Sequence, residues 1–237
     1  MAPKLDVALA AAATLVAIAF CLSTLDSWLR RRRPQELAWT VSLALFALGS
    51  AALWWGFARG WSAPSFRVFY LAGAVLNVPW LALGTVYLLW GAAVGDRARS
   101  TLVFLSGLAT GILLVAPIRG QLPTGEMPEG REHFGAWPRV LAAVGSGAAA
   151  VLILGGAAWT TWRFVRQRGA PAHRVVGNLL IAAGTLVLSG SGGLAGRLGA
   201  DRAFVLTLLV GIVVLFSGFL TAGGRRRPPV APSSRPG

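Results

Sequence analysis

A chain of 237 residues that is 55% apolar and only 13% charged does not have the polar coat of a soluble domain, in which about 25% of residues are charged. Its net charge of +14 does not point to nucleic acid, because the basic residues are not gathered on one helix or interleaved with aromatics. They lie between long apolar runs, where membrane topology calls for them. Cys21 is the one cysteine in the chain, which excludes an internal disulfide and a CxxC metal or redox site.

Crossing a hydrocarbon core takes roughly 20 apolar residues per helix. Seven runs meet that length: Leu5–Trp28, Leu37–Ala58, Val68–Gly91, Thr101–Ile118, Val140–Trp162, Val175–Gly196 and Ala203–Gly223. The pattern predicts an all-α fold, a polytopic bundle of seven transmembrane helices forming one domain over residues 1–223. The remaining 224–237, rich in Arg, Pro and Ser, read as a disordered basic tail. Fourteen of the basic residues fall in the first, third and fifth loops and the tail (Arg30 to Arg33, Arg97, Arg99, Arg163, Arg166, Arg168, Arg174 and the tail arginines), against eight on the other side. Cytoplasmic loops carry the excess, so the N-terminus is expected outside and the C-terminus in the cytoplasm. A cleaved signal peptide is not expected, because four arginines would follow it on the exported side.

Within the first hairpin, Asp26 and Arg30 are spaced to share a helix face. Pro34 and Glu36 suit the first turn of the second helix, where a carboxylate complements the dipole. Tryptophans fall at both sets of ends: Trp28, Trp39, Trp90, Trp159 and Trp162 at inner ends, Trp54, Trp55, Trp61 and Trp137 at outer ends. They read as interfacial anchors.

The third, fifth and seventh runs open with Arg67, Arg139 and Arg202. A cation at a helix N-terminus opposes the macrodipole, so something outside each helix must hold it. Two holders present themselves: lipid phosphate reached by snorkelling, or an outer basic rim that pairs with Glu126, Glu129 or Glu132 or attracts an anion. Between the fourth and fifth runs, Arg119–Pro138 is punctuated by proline and glycine and predicts irregular structure. Glu129, Glu132 and His133 match no established metal-ligand spacing, and the loop reads as solvated.

Mid-way along the third run, Asn77-Val78-Pro79-Trp80 predicts a kink, since Pro79 cannot donate to the Val75 carbonyl. Asn77 either fixes helix packing or, with Trp80, Thr85 and Tyr87, bounds a small polar cavity. In the sixth run, Ser189-Gly190-Ser191-Gly192-Gly193 predicts close helix contact or a broken helix of the sort that binds substrate in transporters. Gly107-x-x-x-Gly111 and Gly192-x-x-x-Gly196 fit small-residue helix contacts.

Catalysis is not expected. No carboxylate falls in the middle of a run, Lys4 is the one lysine, and His133 and His173 lie in loops on opposite sides. A carboxylate proton relay, a retinal Schiff base and a bis-histidine haem therefore lack their residues. No cofactor or metal is predicted.

The segment Pro34-Gln35-Glu36-Leu37-Ala38-Trp39-Thr40, the pair Phe66-Arg67, and Asn77-Val78-Pro79-Trp80-Leu81-Ala82-Leu83-Gly84-Thr85-Val86-Tyr87-Leu88, with Phe134-Gly135, Pro138-Arg139 and Gly177-Asn178-Leu179-Leu180, resemble a family of uncharacterised bacterial seven-span membrane proteins. The likeness covers nearly the whole chain. It implies the fold and a bacterial cytoplasmic membrane location, and attaches no activity to any residue. The function expected is that of a non-enzymatic sensor or accessory subunit. Its partners are membrane lipids, a small ligand, another membrane protein or a second copy of the chain, and not nucleic acid. The alternative is a small-solute transporter that uses the kinked third helix and the glycine-rich sixth.

Overall fold

The computed structural model describes residues 4–124, 126–166, 176–177, 179–188 and 201–223, and every regular element among them is helical. In chain order these are α1 (Lys4–Arg31), α2 (Pro34–Arg59), α3 (Ala63–Phe69), a π-helical segment (Tyr70–Leu76), α4 (Asn77–Val115), α5 (Gly130–His133) and α6 (Ala136–Arg166). They are followed by α7 (Leu179–Leu188) and α8 (Asp201–Gly223). Four helical runs among the described residues are long and apolar enough to cross a membrane: Leu5–Arg31, Pro34–Arg59, Ala63–Val115 and Ala136–Thr160. Leu179–Leu188 and Ala203–Gly218 are apolar but shorter.

Local sequence sets several helix ends. Pro34 occupies the first turn of α2, where a missing N–H is harmless. The same helix stops at Gly60, whose φ of 91° suits glycine and whose N–H donates to the Gly56 carbonyl. Ser62 caps α3 in a reciprocal box: its hydroxyl accepts from the Ser65 N–H, and the Ser65 hydroxyl accepts from the Ser62 N–H at 2.9 Å.

The run Ala63–Val115 is 53 residues long. Straight, it would extend about 80 Å, well over twice a hydrocarbon core. It is not straight. Gly91 has φ 78° and ψ −175°, a combination open essentially to glycine alone, and the chain reverses there. Trp80 Nε1 donates to Ser106 Oγ at 3.2 Å. Leu83 and Tyr87 pack with Ala98 and Leu102, and Val75 packs with Ala109 and Leu113. Residues 77–90 and 92–115 of α4 are thus two antiparallel arms.

The expected loop at 92–100 is instead helical from its first residues. Asp96, Arg97 and Arg99 gave that stretch a loop's composition. Asp96, however, accepts from the Tyr87 hydroxyl at 2.8 Å and lies 3.4 Å from Arg99 one turn on. The second arm therefore begins at the reversal and not at Thr101.

The core forms where α1, α2 and α8 meet: Ala17, Phe20, Leu43, Phe46, Ile212 and Leu215 are buried together, with Leu81 of the first arm and Leu188 of α7 against them. Ala82 joins the first arm to Ala149 and Ile153 of α6. Gly184 lies against Leu215 and Gly218 against Ile181, so α7 and α8 run antiparallel at close range.

Two ends result. One gathers the start of α1, the ends of α2 and α4, α5, and the starts of α3 and α8: Ala10, Phe57, Phe69, Phe204 and Met127 cluster there, beside Phe66, Ala116 and Phe134. The other holds the α1–α2 turn, Gly91 and the end of α6.

Candidate functional site

The most irregular stretch of backbone lies where the sequence placed Asn77 and Pro79. The ladder widens over Tyr70–Leu76, and the Asn77 N–H donates five residues back, to Ala72. The α ladder resumes with α4 at Asn77. Three carbonyls, those of Gly73, Ala74 and Val75, are left between the two registers. One N–H, that of Val78, remains to serve them, because Pro79 has none.

Neighbouring helices supply what is missing. Ser146 of α6 donates to the Ala74 carbonyl at 2.6 Å. From α2, the buried Ser42 hydroxyl lies 3.0 Å from the Asn77 carbonyl and 2.7 Å from its side-chain oxygen. Outside hydroxyls thus reach the carbonyls of Ala74 and Asn77, on either side of the Val75 carbonyl that Pro79 deprives of its helical donor. A Cβ placed on Gly49 would come within 3.2 Å of the Gly73 backbone, so α2 and the π segment touch backbone to backbone. Wide turns of this kind are frequent at functional sites.

The four residues proposed to bound a polar cavity divide among three neighbours. Asn77 meets Ser42 of α2, Trp80 meets Ser106 and Tyr87 meets Asp96, both on the second arm. Thr85 faces α6, where a Cβ on Gly156 would reach its methyl at 2.9 Å. No hydrogen bond joins any two of the four among the described residues.

Arg67 is bonded to backbone carbonyls of a neighbouring arm. Its Nε donates to the Leu113 carbonyl at 3.1 Å and its Nη2 to the Ala116 carbonyl at 2.8 Å. Both acceptors belong to the C-terminal end of the antiparallel second arm, the negative end of that helix. Arg139 is exposed. Arg202 falls in the first turn of α8, and its side chain lies outside the described residues. So do Ser189, Gly190, Ser191, Gly192 and Gly193.

The loop before α6 is more ordered than its composition suggests. His133 and Arg119 pair in both directions: the Arg119 N–H donates to the His133 carbonyl at 2.9 Å, and His133 Nδ1 lies 2.9 Å from the Arg119 carbonyl. A carbonyl only accepts, so Nδ1 carries the proton. Phe134 stacks on Phe66 at 4.8 Å between centroids, and both are buried. Glu129 pairs with Arg131. The one sequence signal for this closure was an aromatic, Phe134, inside a polar segment.

Glu36 is buried, which nothing in the local sequence marks. Its carboxylate is 7% exposed, with Oε1 3.6 Å from Arg31 and Oε2 without a hydrogen-bond partner. Trp39 lies over Gly84 and Trp61 packs between Phe57, Phe66 and Phe69, so these two tryptophans build helix contacts. Gly107 and Gly111 are exposed, and a Cβ on either meets nothing within 4 Å.

No family model, no curated protein and no solved structure matches the chain.

Proposed function

We propose that this chain is a seven-pass protein of a bacterial cytoplasmic membrane, N-terminus outside and C-terminus in the cytoplasm, of the bacterial seven-span kind that its motifs resemble. It acts as a non-enzymatic sensor or accessory subunit that responds to a lipid, a small ligand or a membrane partner. The observation that supports this role is the joint at Tyr70–Leu76, held from both sides by Ser42 and Ser146. The side-chain polar groups around it bond to one another and to backbone, which suits a joint between helices. The reversal at Gly91 and the antiparallel α7 and α8 support the count of seven.

Cysteines introduced singly at Gly120 and at Arg97 test the topology, with the natural Cys21 replaced by alanine. The first is expected to label from outside the cell and the second only after the membrane is opened. Labelling of both from one side would sink the seven-pass reading. Co-purification of a stable partner, with no solute flux in reconstituted vesicles, is the outcome expected of an accessory role.

The interrupted helix also favours a second reading, a small-solute transporter, because backbone carbonyls between the two registers lack helical donors. Flux that Asn77→Leu abolishes would favour it.

A further inference from the structure

We propose that the outer face of α6 is a binding track for one anionic phospholipid, with the phosphate held at its C-terminal end by Arg163 and Arg166. The inference rests on the membrane placement proposed above and adds a ligand, a location and an orientation to it.

Along α6, Val144, Val151, Gly155, Trp159, Trp162 and Arg166 recur at spacings of three, four and seven residues, which places them on one helix face. All six are exposed, Val151 by 72%, and a Cβ on Gly155 meets nothing within 4 Å. From Val144 to Arg166 the chemistry changes from aliphatic to aromatic to cationic. This is the order of acyl chain, glycerol region and phosphate in a lipid.

The aromatic step is built. Trp159 and Trp162 are 5.2 Å apart, and the Arg166 guanidinium sits 4.5 Å over the Trp162 ring. A guanidinium held by its face keeps its N–H edges free, and those edges match phosphate oxygens in a bidentate fork. Trp90, also exposed, ends the first arm of α4, which packs on α6 through Thr85 and Leu89 at Gly156. It adds a third indole at the same end.

Arg30 pairs with Asp26, Arg31 with Glu36 and Arg99 with Asp96. Among the described residues, Arg163 and Arg166 have no carboxylate partner. Arg32 and Arg97 at the same end also lie outside any ion pair among the described residues, so what sets this face apart is the pair of indoles beneath its two cations. Two uncompensated cations above an aromatic and aliphatic track fit an anionic headgroup and disfavour a cationic or neutral one.

The test uses the full chain in nanodiscs of equal phosphatidylglycerol and phosphatidylcholine, followed by native mass spectrometry of the lipid that stays bound. The wild type is expected to retain phosphatidylglycerol, and R163Q/R166Q to lose that preference by about tenfold. The pair R97Q/R99Q, at the same end but off the track, is expected to keep it. Where the double variant fails to fold, Arg166→Lys replaces it; it keeps the charge, loses the fork, and is expected to weaken retention.

Equal retention of both lipids overturns the proposal. So does an equal loss in the two arginine pairs, which would mean diffuse charge, or displacement of the lipid by inorganic phosphate alone. Release of the protein from membranes by alkaline carbonate would sink the membrane placement and the site together. Membrane-resident protein without lipid preference sinks the site alone.

Discussion

Arg67 enters α3 as a cation near the positive end of the long helical run from Ala63, an unfavourable position along its own axis. The cost is offset by the C-terminus of the antiparallel arm, whose carbonyls at Leu113 and Ala116 its guanidinium reaches. Hydrogen bonds to charged groups contribute about 1.5–3 kcal/mol. Arg67→Gln is therefore expected to lower stability by about 2 kcal/mol in a detergent melting experiment. Arg139→Gln, at an exposed position, is expected to stay within about 0.5 kcal/mol of the wild type. Equal effects would argue against the carbonyl clamp. The sequence made the misplaced charge visible and left its partner hidden, because Leu113 is 46 residues away. Nothing local to Phe66-Arg67 encodes a neighbour's C-terminus. Ser146 was hidden in the same way: its role depends on the Ala74 carbonyl, 72 residues distant. Asn77 and Pro79 were visible because a polar amide and a proline inside an apolar run violate local rules wherever they occur.

Among elements, two of the glycines of α4, Gly91 and Gly107, behave in opposite ways. Gly91 holds a backbone conformation that costs other residues about 1–3 kcal/mol, and every contact between the arms depends on the reversal it makes. Gly107 lies in regular helix with open space around it, where alanine is favoured by about 1 kcal/mol. Gly91→Ala should lower the melting temperature and Gly107→Ala should leave it unchanged or raise it. A destabilising Gly107→Ala would mean that a second chain packs on that face. Helix length and apolarity were readable from sequence. The start of the second arm was not, since Asp96, Arg97 and Arg99 are loop residues by composition, while the partner of Asp96, the Tyr87 hydroxyl, lies across the reversal at Gly91. The irregularity near Pro79 was readable too, but its form, a widened turn N-terminal to the proline, depends on hydroxyls from two other helices.

At the scale of the whole molecule, α8 closes the bundle by returning to α1 and α2. Val205, Ile212 and Leu215 are almost fully buried, against Phe20, Phe46 and Leu53. A chain ended before Asp201 should lose its monodisperse peak in size-exclusion chromatography, and co-expression of residues 201–237 should restore it. An unchanged profile for the truncated chain would remove α8 from the core. The partners of α8 were not readable, because a helix that is apolar all round has no marked face; its length and apolar character were. The sequence divided the helical material into seven runs on length and charge alone, whereas the way those runs meet is a property of side-chain shape.

Gly91 has a last consequence, for biogenesis. One residue makes the whole turn, so no slack separates the two arms that Trp80–Ser106 and Tyr87–Asp96 fasten together. Neither arm can be withdrawn, rotated or delayed on its own without breaking both fastenings. Under the seven-pass reading proposed above, the unit that an insertion machinery handles is expected to be the pair and not the single helix.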